Sequence, residues 1–116
     1  ILQKLKKKNI SLICLAGYMK ILKKNFINKF NGKIINIHPS LLPKYKGLNT
    51  FKRVLASKDK VTGCTVHHVN VKLDSGQKII QKKIFIKLND NEKSLKNRVL
   101  QAEHKAYTEA IIRLFR

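Results

Sequence analysis

The feature that most constrains this chain is an almost wholly apolar run, ISLICLA from Ile10 to Ala16, ending at Gly17. A strand with one wet face alternates apolar and polar residues; a run without alternation suits a strand buried on both faces, as in a parallel sheet. Apolar residues then recur at helical spacing, at Ile21, Leu22, Phe26, Ile27 and Phe30, and Asn31-Gly32 closes the segment that began near Met19. Strand followed by helix is the α/β rhythm. A second, β-branched run from Ile34 to Ile37 stops at His38-Pro39, where proline lacks the N–H of a central ladder. Ser40 to Asn49 contains Pro43 and Gly47 and reads as a loop, followed by a short helix through Phe51, Val54 and Leu55. Thr65 to Val71 and Ile79 to Leu88 read as strands around a turn at Leu73 to Gly76, a hairpin-like pair. Asp90 or Asn91 can cap a last helix whose apolar face runs through Leu95, Val99, Ala102, Ala106, Ala110 and Leu114.

A length of 116 residues fits one domain or a piece of one. The chain opens at Ile1, and its first segment to Lys8 reads as the end of a helix whose start lies elsewhere, so a longer parent protein is expected. With 26 Lys and Arg against 6 Asp and Glu, a formal charge of +20 would by itself suggest a polyanionic partner. The lysines are scattered, however, with short runs only at Lys6 to Lys8, Lys23 to Lys24 and Lys82 to Lys83, and they accompany many Asn and Ile residues. The pattern reads as compositional drift rather than a nucleic-acid face, and no specific nucleic-acid partner is expected. Cys14 and Cys64 lie in apolar surroundings without metal-ligand spacing and read as buried free thiols, which fits a reducing cytoplasm. No apolar run approaches the ~20 residues of a membrane span, and no signal peptide is evident.

Polar residues at the exit of a strand lie where open α/β sheets bind ligands. Alternation puts Asn36 and His38 on one side of their strand, so an amide and an imidazole can address one substrate atom. Asp74, in a turn with Ser75-Gly76, can bend towards them. Taken singly, each has an ordinary reading: a strand-end histidine is often a hydrogen-bonded structural residue, and Asp before Ser-Gly is usually a turn former.

The longer string Asn36-Ile37-His38-Pro39-Ser40-Leu41-Leu42-Pro43-Lys44-Tyr45-Lys46-Gly47-Leu48 resembles the signature of the folate-dependent formyltransferase family, in its glycinamide ribonucleotide branch. Leu73-Asp74-Ser75-Gly76 resembles the second signature. Ala16-Gly17-Tyr18-Met19-Lys20-Ile21-Leu22, Gly63-Cys64-Thr65-Val66-His67 and Ala102-Glu103-His104-Lys105-Ala106-Tyr107 match in order, so the resemblance spans essentially the whole chain. It implies a Rossmann-like α/β fold with a mostly parallel sheet flanked by helices. The family's N-terminal half, with its Gly-rich phosphate loop, has no counterpart here. Residues 1–116 would then be the C-terminal catalytic part of a single domain, needing that missing half as its partner. The resemblance implies 10-formyltetrahydrofolate as co-substrate, glycinamide ribonucleotide as formyl acceptor, and no metal. Asn36 and His38 would stabilise the formyl oxygen, and Asp74 would raise the His38 pKa and relay a proton through water. Met19, Lys20, Ile21, Leu22, Asn36, Asn70, Val71, Lys72, Leu73 and Asp74 would hold the folate. Leu100, Gln101, Ala102 and Glu103 would hold the ribonucleotide, and His67 would be a structural neighbour of the site.

Lys46 stands where the family usually has proline, Asn49 and Phe51 where histidines are common, and Gln77 where a proline follows the turn. Fewer prolines leave the open chain more freedom, so the loops are expected to be less rigid. Two sister activities share the Asn-x-His and Leu-Asp-x-Gly arrangement, formyltetrahydrofolate deformylase and methionyl-tRNA formyltransferase. Pro39-Ser40-Leu41-Leu42-Pro43 favours the glycinamide branch over both. From another class, a basic module or inactive remnant binding nucleic acid would show salt-sensitive affinity.

Overall fold

A computed structural model describes residues 2–16, 24–70, 72 and 74–115. The order of elements is α1 (Leu2–Lys7), β1 (Leu12–Ala16), α2 (Lys24–Lys29), β2 (Lys33–His38), α3 (Thr50–Ala56), β3 (Val61–His68), β4 (Lys78–Phe85) and α4 (Glu92–Leu114). The strands form one sheet in the order β1-β2-β3-β4. The β3 strand starts earlier than the sequence pattern suggested, because Val61 and Thr62 extend the ladder across Gly63 opposite β4.

The α/β architecture is as expected, but the described sheet is mixed rather than mostly parallel. Only β1 and β2 run parallel; β3 is antiparallel to both β2 and β4. The link from β3 to β4, residues 69–77, is too short for a parallel crossover, which takes about a dozen residues or more. The β2–β3 link is longer, but its loop folds back onto the sheet: Leu42 N–H donates to Thr65 Oγ1 at 3.1 Å, and Thr65 Oγ1 donates to the Ser40 carbonyl at 2.7 Å.

Strand alternation divides the sheet into an apolar and a polar face. Ile35, Ile37, Cys64, Val66 and Ile80 form the core with Val54 of α3 and with Leu95, Val99, Ala106 and Ala110 of α4. The two alanines let α4 lie close against β3 and β4. Asn91 caps this helix with a reciprocal box: its side chain accepts from Ser94 N–H at 2.8 Å, and Ser94 Oγ accepts from Asn91 N–H at 3.0 Å. The opposite face carries Asn36, His38, Thr65 and His67, brought side by side by the pairings Asn36 with His67 and His38 with Thr65.

One expectation fails at β1. This strand is not buried on both faces: Leu12, Ile13 and Leu15 are half-buried, while Cys14 and Ala16 are exposed. Among the described residues β1 has a neighbour on one side only, and α4 reaches it through the Tyr107 hydroxyl, which donates to the Leu15 carbonyl and lies 3.3 Å from that of Ile35. Of the two free cysteines, only Cys64 is buried, and burial pushes its thiol up to about 12.

The turn that carries Asp74 depends on Gly76, where an added Cβ would fall 1.6 Å from the His68 carbonyl oxygen. Backbone meets backbone there, so nothing can swing away. Gly76→Ala is expected to force the turn off β3 and to cost about 1–3 kcal/mol, as overpacking does, measured as a lower urea midpoint. An unchanged midpoint would show that the turn is not anchored at that contact.

Candidate active site

The polar face of β2 and the turn after β3 meet at Asp74. Its Oδ2 lies 3.3 Å from His38 Nδ1 and accepts from the Gly47 N–H at 2.9 Å, while its Oδ1 lies 3.8 Å from His67 Nε2. All the side chains are withdrawn from solvent: His38 is 1% exposed, His67 2%, Asp74 5% and Asn36 6%. Of the residues expected to converge, His38 and Asp74 meet directly and Asn36 is buried on the same face of β2 as His38, while His67, read from the sequence only as a structural neighbour, lies near the same carboxylate. The signal for it was the register, which sets His67 opposite Asn36.

Four buried polar atoms have no hydrogen-bond partner among the described residues, and three of them, Asn36 Oδ1, His67 Nε2 and Asp74 Oδ1, belong to this cluster. Unpaired buried polar atoms are rare in folded proteins and costly. Two of the three, His67 Nε2 and Asp74 Oδ1, face each other at 3.8 Å.

His38 sits between two acceptors, the Asp74 carboxylate on Nδ1 and the Tyr45 carbonyl, 2.7 Å from Nε2. Only the doubly protonated ring satisfies both. Burial opposes that state and holds the imidazole below the ordinary histidine value, although the Tyr45 carbonyl and Asp74 pull it upwards; His67 and Arg53 push it further down. The expectation that Asp74 raises the His38 pKa is thus right in sign for that pair and outweighed by desolvation.

The signature loop reaches His38 through strained backbone. Tyr45 and Asp74 have φ of 57° and 51°, in the left-handed region. That region costs a residue with a Cβ about 1–2 kcal/mol, though aspartate tolerates it better. Contacts around the loop offset the cost: Ser40 Oγ donates to the Lys44 carbonyl at 2.6 Å, Tyr45 Oη to Asp59 Oδ2 at 2.6 Å, and Gln81 Nε2 to the Leu42 carbonyl at 3.0 Å.

On the apolar side of β2's exit lies a cavity of about 1060 Å³ between Ile37 and Pro39, the start of α3, and the outer face of α4. Of the four residues expected to hold the ribonucleotide, Leu100 and Glu103 line it and Gln101 and Ala102 do not. Four consecutive helical residues point around the whole circumference, so they cannot all face one ligand. Residues at helical spacing do face it: Lys96, His104 and Tyr107 join Leu100 and Glu103, a stripe that an i, i+3, i+4 reading would have found. Burial raises the Glu103 pKa, while His104 and Lys96 partly restore it. Asn36, His38 and Asp74 do not line this cavity. They lie on the sheet's other face, with Ile37 and Pro39 between.

Of the expected folate residues, Asn36 and Asp74 belong to the buried cluster, while Asn70 and Lys72 are exposed, the Asn70 side chain accepting from Lys72 N–H at 2.9 Å. Met19, Lys20, Ile21, Leu22, Val71 and Leu73 lie outside the described residues. Among the described residues no group of three His, Cys, Asp or Glu side chains is arranged to hold a metal ion, and no helix is long and apolar enough to cross a membrane.

The α/β sheet thus presents Asn-x-His at a strand exit on the face that meets a buried aspartate. The chain belongs to the formyl transferase family, whose sequence profile matches residues 1–111. It is 47% identical over 98 residues to phosphoribosylglycinamide formyltransferase of Haemophilus influenzae, covering 84% of this chain and 46% of that protein. It is 48% identical over 103 residues to the trifunctional purine biosynthetic protein adenosine-3 of Gallus gallus, 89% of this chain and 10% of that one. The crystal structure of phosphoribosylglycinamide formyltransferase from Anaplasma phagocytophilum superposes with a TM-score of 0.88 at 41% identity, over 94% of this chain and 53% of that one. The chain therefore spans about half the length of the single-function relatives.

The protonation of His38 has a consequence for stability. Its folded-state value lies below the unfolded value of 6.5, so the native state binds fewer protons. Stability is complete above that value and is lost as pH falls towards the depressed one. Urea midpoints measured from pH 7.5 down to 5 should fall, and His38→Gln, which cannot titrate, should fall less. His68, also held low chiefly by burial, keeps its share of the slope in both proteins. Parallel curves for the two would contradict this account of His38.

Proposed function

We propose that this chain is the catalytic part of a glycinamide ribonucleotide formyltransferase of purine biosynthesis. The observation that carries the reading is the buried cluster of Asn36, His38 and Asp74, with its unpaired polar atoms, in a chain of the formyl transferase family. In this reading 10-formyltetrahydrofolate supplies the formyl group. As the amine of glycinamide ribonucleotide attacks the formyl carbon, negative charge grows on the formyl oxygen. The Asn36 amide donates to it, contributing about 2.7–4 kcal/mol, and the His38 ring, whose two nitrogens face Asp74 and the Tyr45 carbonyl, adds the field of its positive charge when protonated. Asp74 stabilises the imidazolium and orders the water through which the amine's proton passes to the departing folate nitrogen. Met19, Lys20, Ile21, Leu22, Asn36 and the loop Asn70, Val71, Lys72, Leu73 and Asp74 form the folate side, while Leu100 and Glu103 form the ribonucleotide side. Glu103 meets the acceptor's ammonium or hydroxyls. Free thiols at Cys14 and Cys64 suit action in the cytoplasm.

The half-covered apolar β1, together with the partial coverage of the relatives, supports the further reading that residues 1–116 are the C-terminal part of one domain, its remaining strands pairing with β1. Produced alone, the 116 residues should self-associate through that edge in sedimentation velocity. A cooperatively unfolding monomer would refute this.

The activity is tested by following folate turnover in the protein that carries this chain, with and without glycinamide ribonucleotide. Turnover should require the amine, and His38→Asn or Asn36→Ala should lower kcat by about 10²–10³-fold, the loss expected for one oxyanion donor. Formate release without the amine would instead indicate a hydrolase. Glu103→Gln should raise KM for the ribonucleotide by about tenfold, as loss of a charged hydrogen bond does, with kcat little changed. An unaltered KM would remove Glu103 from the site.

A further inference from the structure

The groups that meet His38 and Asp74 from the signature loop are main-chain atoms, so something must hold that backbone in place. Tyr45 presents its carbonyl to His38 from a left-handed conformation that costs a residue with a Cβ about 1–2 kcal/mol. Two residues on, Gly47 presents its N–H to Asp74. Between them, the Lys46 carbonyl accepts from Arg53 Nη2 at 2.6 Å. The Arg53 guanidinium carbon also lies 5.7 Å from the centroid of the Tyr45 ring, a cation–π contact.

Helix geometry explains how one side chain does this. Arg53 sits one turn into α3, its N–H bonded to the Asn49 carbonyl at 3.1 Å, and helical side chains lean towards the N-terminus. The leaning side chain returns over the loop that leads into the helix. From the other side, the Lys46 ammonium donates to Ser75 Oγ at 3.0 Å, tying the same peptide to the Asp74 turn. Lys46 and its carbonyl are thus gripped at both ends, at the position where the signature usually carries proline.

We infer that Arg53 is a positioning residue: its guanidinium grips the Lys46 carbonyl and the Tyr45 ring, aiming the Tyr45 carbonyl at His38 and the Gly47 N–H at Asp74. The inference rests on the proposed role of His38 and Asp74. Stability is a poor reason to keep the group there, because Arg53 Nε is buried with no partner among the described residues, a cost that a simple surface ion would not carry. A fork of donors is needed; a point charge cannot reach the carbonyl and cover the ring in one geometry.

Arg53→Lys tests this, since it keeps the cation that acts on His38 and removes only the fork. The site is read by NMR in the protein carrying this chain, so the result does not depend on any turnover. The His38 ring is faced by Asp74, His67, Arg53 and the Tyr45 carbonyl. With charge conserved and the carbonyl released, His38 should titrate lower in Arg53→Lys than in wild type. Exchange of the Gly47 amide should quicken about tenfold, the equivalent of one charged hydrogen bond. Lys52→Gln, a neighbouring exposed residue without these contacts, should change neither. If transfer activity is present in the wild type, Arg53→Lys should lower kcat with KM values within twofold. Should the wild type lack transfer while the two NMR signatures move, the function reading fails and the grip stands. A folded Arg53→Lys protein with wild-type His38 titration and Gly47 exchange overturns the inference.

Discussion

The structure around the site depends on one buried carboxylate. Asp74 comes from a turn between antiparallel strands, yet it accepts from the main chain of a loop 27 residues earlier and contacts imidazoles from two strands. A carboxylate away from water needs donors or positive charge around it, and here a loop N–H donates to it while imidazoles from two strands lie 3.3 and 3.8 Å away. Contacts to that one group therefore bring β2, β3, the signature loop and the turn into a single arrangement.

The two faces of the sheet divide the work. On one, α4 buries Leu95, Val99, Ala106 and Ala110 against aliphatic strand residues, a conventional core. On the other, Thr65 is a small polar hub: it accepts from Leu42 N–H and Gln81 and donates to the Ser40 carbonyl, pinning the loop flat on the strands. The exit of β2 touches both sides: Ile37 and Pro39 wall the large cavity while His38 turns to the buried cluster. The buried cluster and the cavity along α4 are joined through those three consecutive residues.

Much of this was legible in the residues. The strand periods of β2 and β4, the cap at Asn91 and the apolar stripe of α4 follow from local rules that tertiary packing does not override. The meeting of Asn36, His38 and Asp74 was legible through the resemblance of the long signature string, not through spacing, because a turn aspartate gives no sign of which strand it will face. What the sequence hid was set by distance along the chain. The antiparallel course of β3 depends on how the loop after Pro39 folds back, the place of His67 depends on register, and the depressed His38 depends on total burial. The half-exposed β1 misled for a related reason: an uninterrupted apolar run reports what a strand is made to contact, whereas the described residues supply a neighbour on one side only.

The contacts made to His38 and Asp74 by the signature loop come from the Tyr45 carbonyl and the Gly47 amide, atoms that every non-proline residue possesses. Replacement of the side chains there changes no donor or acceptor, provided the backbone keeps its course. The surface of that loop can therefore change while its hydrogen bonds to the two groups survive.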